Sequence, residues 1–152
     1  MLFTGETARS IDEKQRISIP KEMRSAFVME RGESVVYASP GLNDSIWLWP
    51  EADFERWANM LEQSVLQEEA ETALIRKLFS STSRLELDKA GRIRLPEKLL
   101  AYAGIKGQAM LLGAKNHLEV VDASNWESPQ EELMPQQLSE LIQRVKNNRK
   151  NG

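Results

Sequence analysis

Ile11-Asp12-Glu13-Lys14-Gln15-Arg16-Ile17-Ser18-Ile19-Pro20 reads as a strand end, a polar turn, a second strand and a proline that opens a helix. The same unit returns as Leu87-Asp88-Lys89-Ala90-Gly91-Arg92-Ile93-Arg94-Leu95-Pro96. Asp12 and Asp88, Arg16 and Arg92, and Pro20 and Pro96 are each 76 positions apart. One such segment would be a generic hairpin. Two in register indicate a duplicated unit, and a repeat governs every later assignment.

Within each copy the residue types have local reasons. An Asp at the strand end can accept from backbone N–H groups two residues on and fix the turn, so Asp12 and Asp88 are expected as structural residues. Gly91 supplies a positive φ without steric cost. Gln15 stands in its place in the first copy, so that turn must take another conformation or hold a side chain at positive φ. After each turn apolar and polar residues alternate, directing Ile17, Ile19, Ile93 and Leu95 inward and Arg16, Ser18, Arg92 and Arg94 outward. Pro20 and Pro96 suit the first position of a helix, where a missing N–H costs nothing.

Outward from the two units the chain repeats one order: strand, turn, strand, Pro-helix, strand, turn, strand, helix start. In the first copy this gives strands at 6–11, 16–19, 34–38 and 45–49, with a short helix at 21–27. In the second it gives strands at 84–87, 92–95, 108–113 and 117–121, with a helix from Pro96 to Ala103 and Gly104 at its left-handed C-terminal position. Between the copies, 51–66 reads as an amphipathic helix with Phe54, Trp57, Leu61 and Val65 on one stripe. A second helix follows at 68–80, with Ala70, Leu74, Leu78 and Phe79 on its apolar side. A last helix begins at Pro135, with Leu138, Leu141, Ile142 and Val145 on one face, and runs into a basic tail. The expected division is 7–54 for the first repeat, 55–82 for a helical connection, 83–126 for the second repeat, and 127–152 for the C-terminal helix and tail, the repeats sharing one domain.

The bulk properties restrict the function classes. The 152 residues are 41% hydrophobic and 28% charged, which suits a soluble domain with a core. There is no apolar run of about 18 residues for a membrane span, and no basic, apolar-cored leader at the start. Without cysteine there are no disulfides or thiolate metal sites. His117 is the lone histidine, so no metal centre is expected, and no Gly-rich phosphate loop points to a nucleotide cofactor. We expect neither an enzyme nor a cofactor. Trp47, Trp49, Trp57 and Trp126 read as packing or subunit-interface residues. The net charge of −3 excludes a uniformly basic chain but permits a polarised one. Lys14, Arg16, Lys89, Arg92 and Arg94 all fall on the two turns. A pseudo-two-fold would set these tips side by side, a surface suited to duplex DNA, where arginine forks contact phosphate and guanine. Simple solvated Arg–Asp pairs are the bland reading of the same residues.

The paired Asp-x-x-x-Arg turns, each followed by Arg-Ile-x-(Ile/Leu)-Pro, together with Phe3-x-Gly5 near the start, resemble the MraZ family of bacterial transcriptional regulators, within the AbrB-like swapped-hairpin superfamily. The resemblance covers nearly the whole chain. It implies a mainly β core with packed helices: a duplicated, pseudo-two-fold AbrB-like double-split β-barrel, with helices between and after the repeats. It also implies closed rings, binding to direct repeats in the promoter of a division and cell-wall gene cluster, and a cytoplasmic, nucleoid-associated location. The family's DNA-contacting arginine falls on Arg16 and Arg92, and the basic residue two before it on Lys14 and on Ala90. Thr4 stands where some members carry Arg. Two rival readings remain: a scaffolding ring of the same fold that does not bind DNA specifically, and an antitoxin-like partner of another protein, though such chains usually carry one repeat.

Overall fold

The computed structural model describes residues 1–64, 68–126 and 134–151. Among the described residues, eight strands fall in two sets of four. The first is β1 (Glu6–Ser10), β2 (Arg16–Ser18), β3 (Val35–Pro40) and β4 (Ile46–Trp49); the second is β5 (Ser83–Glu86), β6 (Arg92–Arg94), β7 (Gln108–Gly113) and β8 (Leu118–Asp122). The α-helices are α1 (Glu51–Ser64), α2 (Glu69–Ser80), α3 (Glu97–Ala103) and α4 (Met134–Asn151).

All ladders are antiparallel, and their order shows how the duplication folds. Six strands form one sheet in the order β1-β7-β8-β4-β3-β5. Exchanging each strand for its counterpart in the other copy reverses this order and leaves it unchanged, the signature of a pseudo-two-fold. The edge strands are exchanged: β1 pairs with β7 of the second copy and β5 with β3 of the first. The halves therefore complete each other's sheet. β2 and β6 form a separate two-stranded ribbon in which Ile17 lies opposite Ile93, its own counterpart, so the local dyad passes between them. The mainly antiparallel sheet with packed helices expected of the duplicated fold is present. A hydrogen-bonded barrel is not: no ladder joins ribbon and sheet among the described residues. β2 and β6 are three residues each and make their one ladder with each other.

Packing links ribbon to sheet where no ladder does. Ile17, Ile19, Ile93 and Leu95 are fully buried against Val36, Ala38, Ile46, Leu48, Ala109, Leu111, Leu118 and Val120 of the sheet's inner face. Phe3 packs on Phe27 in the same core, ring centroids 5.5 Å apart. The outer face of β3 and β4 is covered by α1, with Tyr37 stacked on Phe54 at 5.1 Å and Trp49 on Trp57 at 5.5 Å. Trp47, Trp49 and Trp57 are thus packing residues around which His117 also stacks, 4.4 Å from Trp49. The Trp126 indole donates to Glu6 at 3.2 Å.

Several elements depart from expectation. The segment after Pro20 is a 3₁₀ helix, Lys21–Phe27, while its counterpart after Pro96 is α-helical. Asp122–Trp126, expected to mirror the start of α1, makes only one 3₁₀ turn at Ala123–Asn125. β3 extends through Pro40, which pairs with Ile46, so the loop begins at Gly41. On α2, Ala70 and Leu74 are exposed, Leu74 at 70%, and the half-buried apolar residues are Ile75, Leu78 and Phe79. The apolar side turns by one position because Phe79 meets Phe54 edge-on at 6.0 Å. α4 continues to Asn151, so the basic stretch expected as a tail is helical as far as it is described. Val65, placed on the α1 stripe from sequence, lies outside the described residues.

Candidate nucleic-acid interface

The two turns have the same hydrogen-bond network, atom for atom. Asp12 Oδ1 accepts from the backbone N–H of Lys14 at 3.0 Å and of Arg16 at 2.8 Å. Asp12 Oδ2 accepts from Arg16 Nε at 2.8 Å. Asp88 Oδ1 accepts from Ala90 at 2.9 Å and Arg92 at 3.0 Å, and Oδ2 from Arg92 Nε at 2.9 Å. Gln15 N–H donates to the Asp12 carbonyl and Gly91 N–H to the Asp88 carbonyl, both at 2.9 Å. Each aspartate thus organises its turn and also holds the following arginine by Nε alone.

Gln15 resolves the difference between the copies. It takes φ 65°, and Gly91 takes φ 76°. The first turn has kept the left-handed conformation and placed a side chain in it, at a cost of about 1 kcal/mol for an L-residue. Gln15→Gly is therefore expected to stabilise the chain by up to about 1 kcal/mol, part of the gain being offset by the greater freedom of glycine when unfolded. Gly91→Ala should destabilise by more, about 1–3 kcal/mol, because the φ is positive and the new Cβ would collide with the Arg24 guanidinium. Denaturant midpoints of the two variants, moving in opposite directions, check both statements.

The turns are also tied across the dyad. Ile19 N–H donates to the Gly91 carbonyl and Leu95 N–H to the Gln15 carbonyl, each at 2.9 Å. Each tip is therefore fixed by the other half.

The ribbon sets the arginines on one surface. Arg16 lies opposite Arg94, and Ser18 opposite Arg92, on the outward side, while Ile17 and Ile93 face the core. Like charges directly opposite in a ladder are destabilising. Asp12 offsets Arg16 and Asp88 offsets Arg92, whereas Arg94 has no ion pair among the described residues. Lys14, Lys89 and Arg94 are exposed; Arg16 and Arg92 are half-buried along their stems. All five sequence-derived basic residues and the three turn residues Asp12, Asp88 and Gly91 lie on the β2–β6 ribbon and its two turns. Chemically the surface offers forked N–H donors beyond the Nε bonds, together with two lysines: an array suited to phosphate oxygens and base edges.

The halves are unequal. Residues 12–18 carry two acidic and two basic side chains and are neutral; residues 88–94 carry one acidic and three basic and sum to +2. Two cations from outside the turns were not foreseen. Arg24 lies over Gly91, its Nε donating to the Ile19 carbonyl at 2.9 Å. Lys106 lines a shallow cleft with Asp12, Gln15 and Leu100 beside the first turn. Leu100 is the counterpart of Arg24, 76 positions on. A basic residue on the first helix after one turn but not the other was the available signal. What it touches depends on the exchange of halves, which local pattern does not encode.

Both aspartates are held below the usual carboxylate range, first by the backbone N–H of Arg16 or Arg92, with burial opposing and the arginine side chain adding to the effect. A folded pKa below the unfolded value contributes stability that is complete above the ordinary value of 3.8 and is lost as pH falls through the lowered folded value. Melting temperatures recorded from pH 6 down to pH 2 should therefore fall more steeply at the acid end for the native chain than for Asp12→Ala with Asp88→Ala, which starts lower at pH 6.

Among the described residues no group of histidine or carboxylate side chains could hold a metal ion, and no helix is long and apolar enough to cross a membrane. His117 is buried between Asn116 and Glu119, at 2.8 and 3.0 Å, in a packing role.

Comparison with known proteins agrees with this architecture. The family model described as "MraZ protein, putative antitoxin-like" matches twice, over residues 2–77 and 78–148. A protein of Symbiobacterium thermophilum named "Transcriptional regulator MraZ" is 34% identical over 84% of this chain and 89% of its own length. Proteins with the same name from Mesoplasma florum and Thermomicrobium roseum are 31% and 30% identical, over 86% and 95% of this chain and 86% and 97% of their own lengths. A duplicated match over almost the full length, on a fold whose halves complete each other's sheet, places this chain in the MraZ family.

Proposed function

We propose that this protein is a sequence-specific, double-stranded-DNA-binding transcriptional regulator that contacts DNA through the outward face of the β2–β6 ribbon. The observation that carries this reading is the pair of equivalent Asp–Arg turns, tied across the dyad, with Arg16, Arg92 and Arg94 on one surface. Lys14 and Lys89 add phosphate contacts, and Asp12, Asp88 and Gly91 hold the donors in place. The family's relatives bear the name of transcriptional regulators, which supports the same role here. The active form in this reading is a closed ring that engages adjacent direct repeats in the promoter of its own division and cell-wall gene cluster. In a ring, several weak tips act on one duplex and avidity multiplies their effect. No catalysis and no cofactor enter this reading, and the protein works at the nucleoid.

One observation favours a second reading, a scaffolding ring without specific DNA binding: each turn arginine already commits its Nε to its own aspartate. An electrophoretic shift on the gene's own upstream fragment, against a scrambled fragment of equal length, separates the two. The regulator shifts its own fragment at lower concentration; the scaffold shifts neither or both alike.

A further inference from the structure

One half of the sheet's outer face is covered and the other half is open. After β4 the chain forms α1, whose Phe54 and Trp57 pack on Trp49, and Trp49 and Ser39 are 1% and 0% exposed. Registers identify the matching positions in the second half. Tyr37 faces Trp49 and Ser39 faces Trp47; correspondingly Met110 faces Val121 and Leu112 faces Glu119. Among the described residues, β8 is followed by the turn at Ala123–Asn125 and then by α4, and Met110, Leu112, Glu119 and Val121 remain partly exposed. A cleft opens at this place, lined by Leu42, Trp47, Leu112, Val121 and Trp126. Glu119 and Asp44 stand on its wall, and Glu6 adjoins it through its bond to Trp126.

α4 has the opposite deficiency. Each of its residues from Pro135 to Lys150 is exposed, including the stripe Leu138, Leu141, Ile142 and Val145 at 44–57%. It carries Arg144, Lys146, Arg149 and Lys150 against the single acid Glu140.

We propose that α4 of a second copy docks in this cleft, occupying in the second half the place that α1 holds in the first. The apolar stripe would cover Leu112, Val121 and Trp126, and the basic end would lie against the carboxylates of the rim. Such a contact joins two different surfaces, helix on one copy and cleft on the next. It is heterologous, and where its rotation closes, repetition about the axis makes a ring. The contact rests on the ring reading above and would be the joint that builds it.

The absence of cysteine allows a direct test. Leu141→Cys and Val121→Cys are made in separate chains, mixed and oxidised, with Ile142→Cys and Leu112→Cys as a second pair in case the first has poor disulfide geometry. Non-reducing gels and native mass spectrometry are run on the same samples. The expected result is a disulfide-linked dimer in each mixture, several-fold more abundant than in any single variant, within an oligomer of unchanged mass. An intact oligomer with no mixed dimer from either pair overturns the contact and leaves the ring standing. A link formed only within one chain, when both substitutions are placed together, overturns it in favour of α4 folding back on its own cleft. A monomeric native mass for the unsubstituted chain overturns both the contact and the ring.

Discussion

Arg16→Ala combined with Arg92→Ala is expected to weaken binding to the upstream fragment by roughly 100- to 10,000-fold, taking each charge-assisted hydrogen bond to DNA as about 1.5–3 kcal/mol. The two guanidiniums stand on one ribbon face, opposite Arg94 and Ser18. Their removal deletes donors and also uncovers Asp12 and Asp88, whose negative charge then repels phosphate. The single variants should differ. The second turn sums to +2 and has Arg94 within the same strand, whereas the first is neutral, so Arg92→Ala is expected to cost more than Arg16→Ala. The salt dependence should flatten as well, the slope of log K against log salt falling by about one for every phosphate left without its cation. Folding should hardly change, since exposed ion pairs contribute about 0–1 kcal/mol. Fluorescence anisotropy at several salt concentrations, with a thermal melt of each variant, reads all three effects.

Ile93→Ala is expected to destabilise the fold by about 2–5 kcal/mol, the usual cost of emptying a buried aliphatic site. Ile93 is 1% exposed and faces Ile17 across the dyad, over the inner face of the sheet. The ribbon has no ladder to the sheet among the described residues, and Ile17 and Ile93, with Ile19 and Leu95 beside them, pack it there. Loss of the isoleucine should loosen both tips at once, since Ile19 and Leu95 carry the bonds that tie each turn to the other half. Ile17→Ala should have a similar effect. Urea unfolding midpoints measure the loss, and amide exchange at Arg16 and Arg92 should rise together in either variant. A change confined to one turn would contradict the coupling.

Much of this was legible in the chain because the duplication repeats short-range chemistry. Asp12 and Asp88 fix their turns through bonds spanning two to four residues, and the alternation after them decides which side chains turn inward. Gly91 marked the left-handed position; for Gln15 at the same position in the first copy the sequence left open another turn conformation or a side chain at positive φ, and its φ of 65° decides for the second. The long-range arrangement was less accessible. That β1 pairs with β7 and β5 with β3 is a choice between partners of equal local propensity, settled by burial of the common core. The position of Arg24 over Gly91 follows only from that exchange. Leu74 and the α4 stripe have helical periodicity, yet they are exposed in the single chain. Periodicity gives a face and not the surface that covers it. Asp122–Trp126 does not take the helical form of the start of α1 for a related reason: Ala123-Ser124-Asn125 lacks the apolar spacing of Phe54 and Trp57.

Whether the two turns act together as one DNA-contacting surface is tested most directly by a hydroxyl-radical footprint on the gene's own upstream region. The native protein and the Arg16→Ala, Arg92→Ala double variant are compared at the same protein concentration. Discrete, regularly spaced protected boxes are expected with the native chain, and they should disappear with the double variant while its melting temperature is preserved. The same boxes protected equally by the folded double variant, or no discrete protection by the native chain, would contradict a joint role for the two turns.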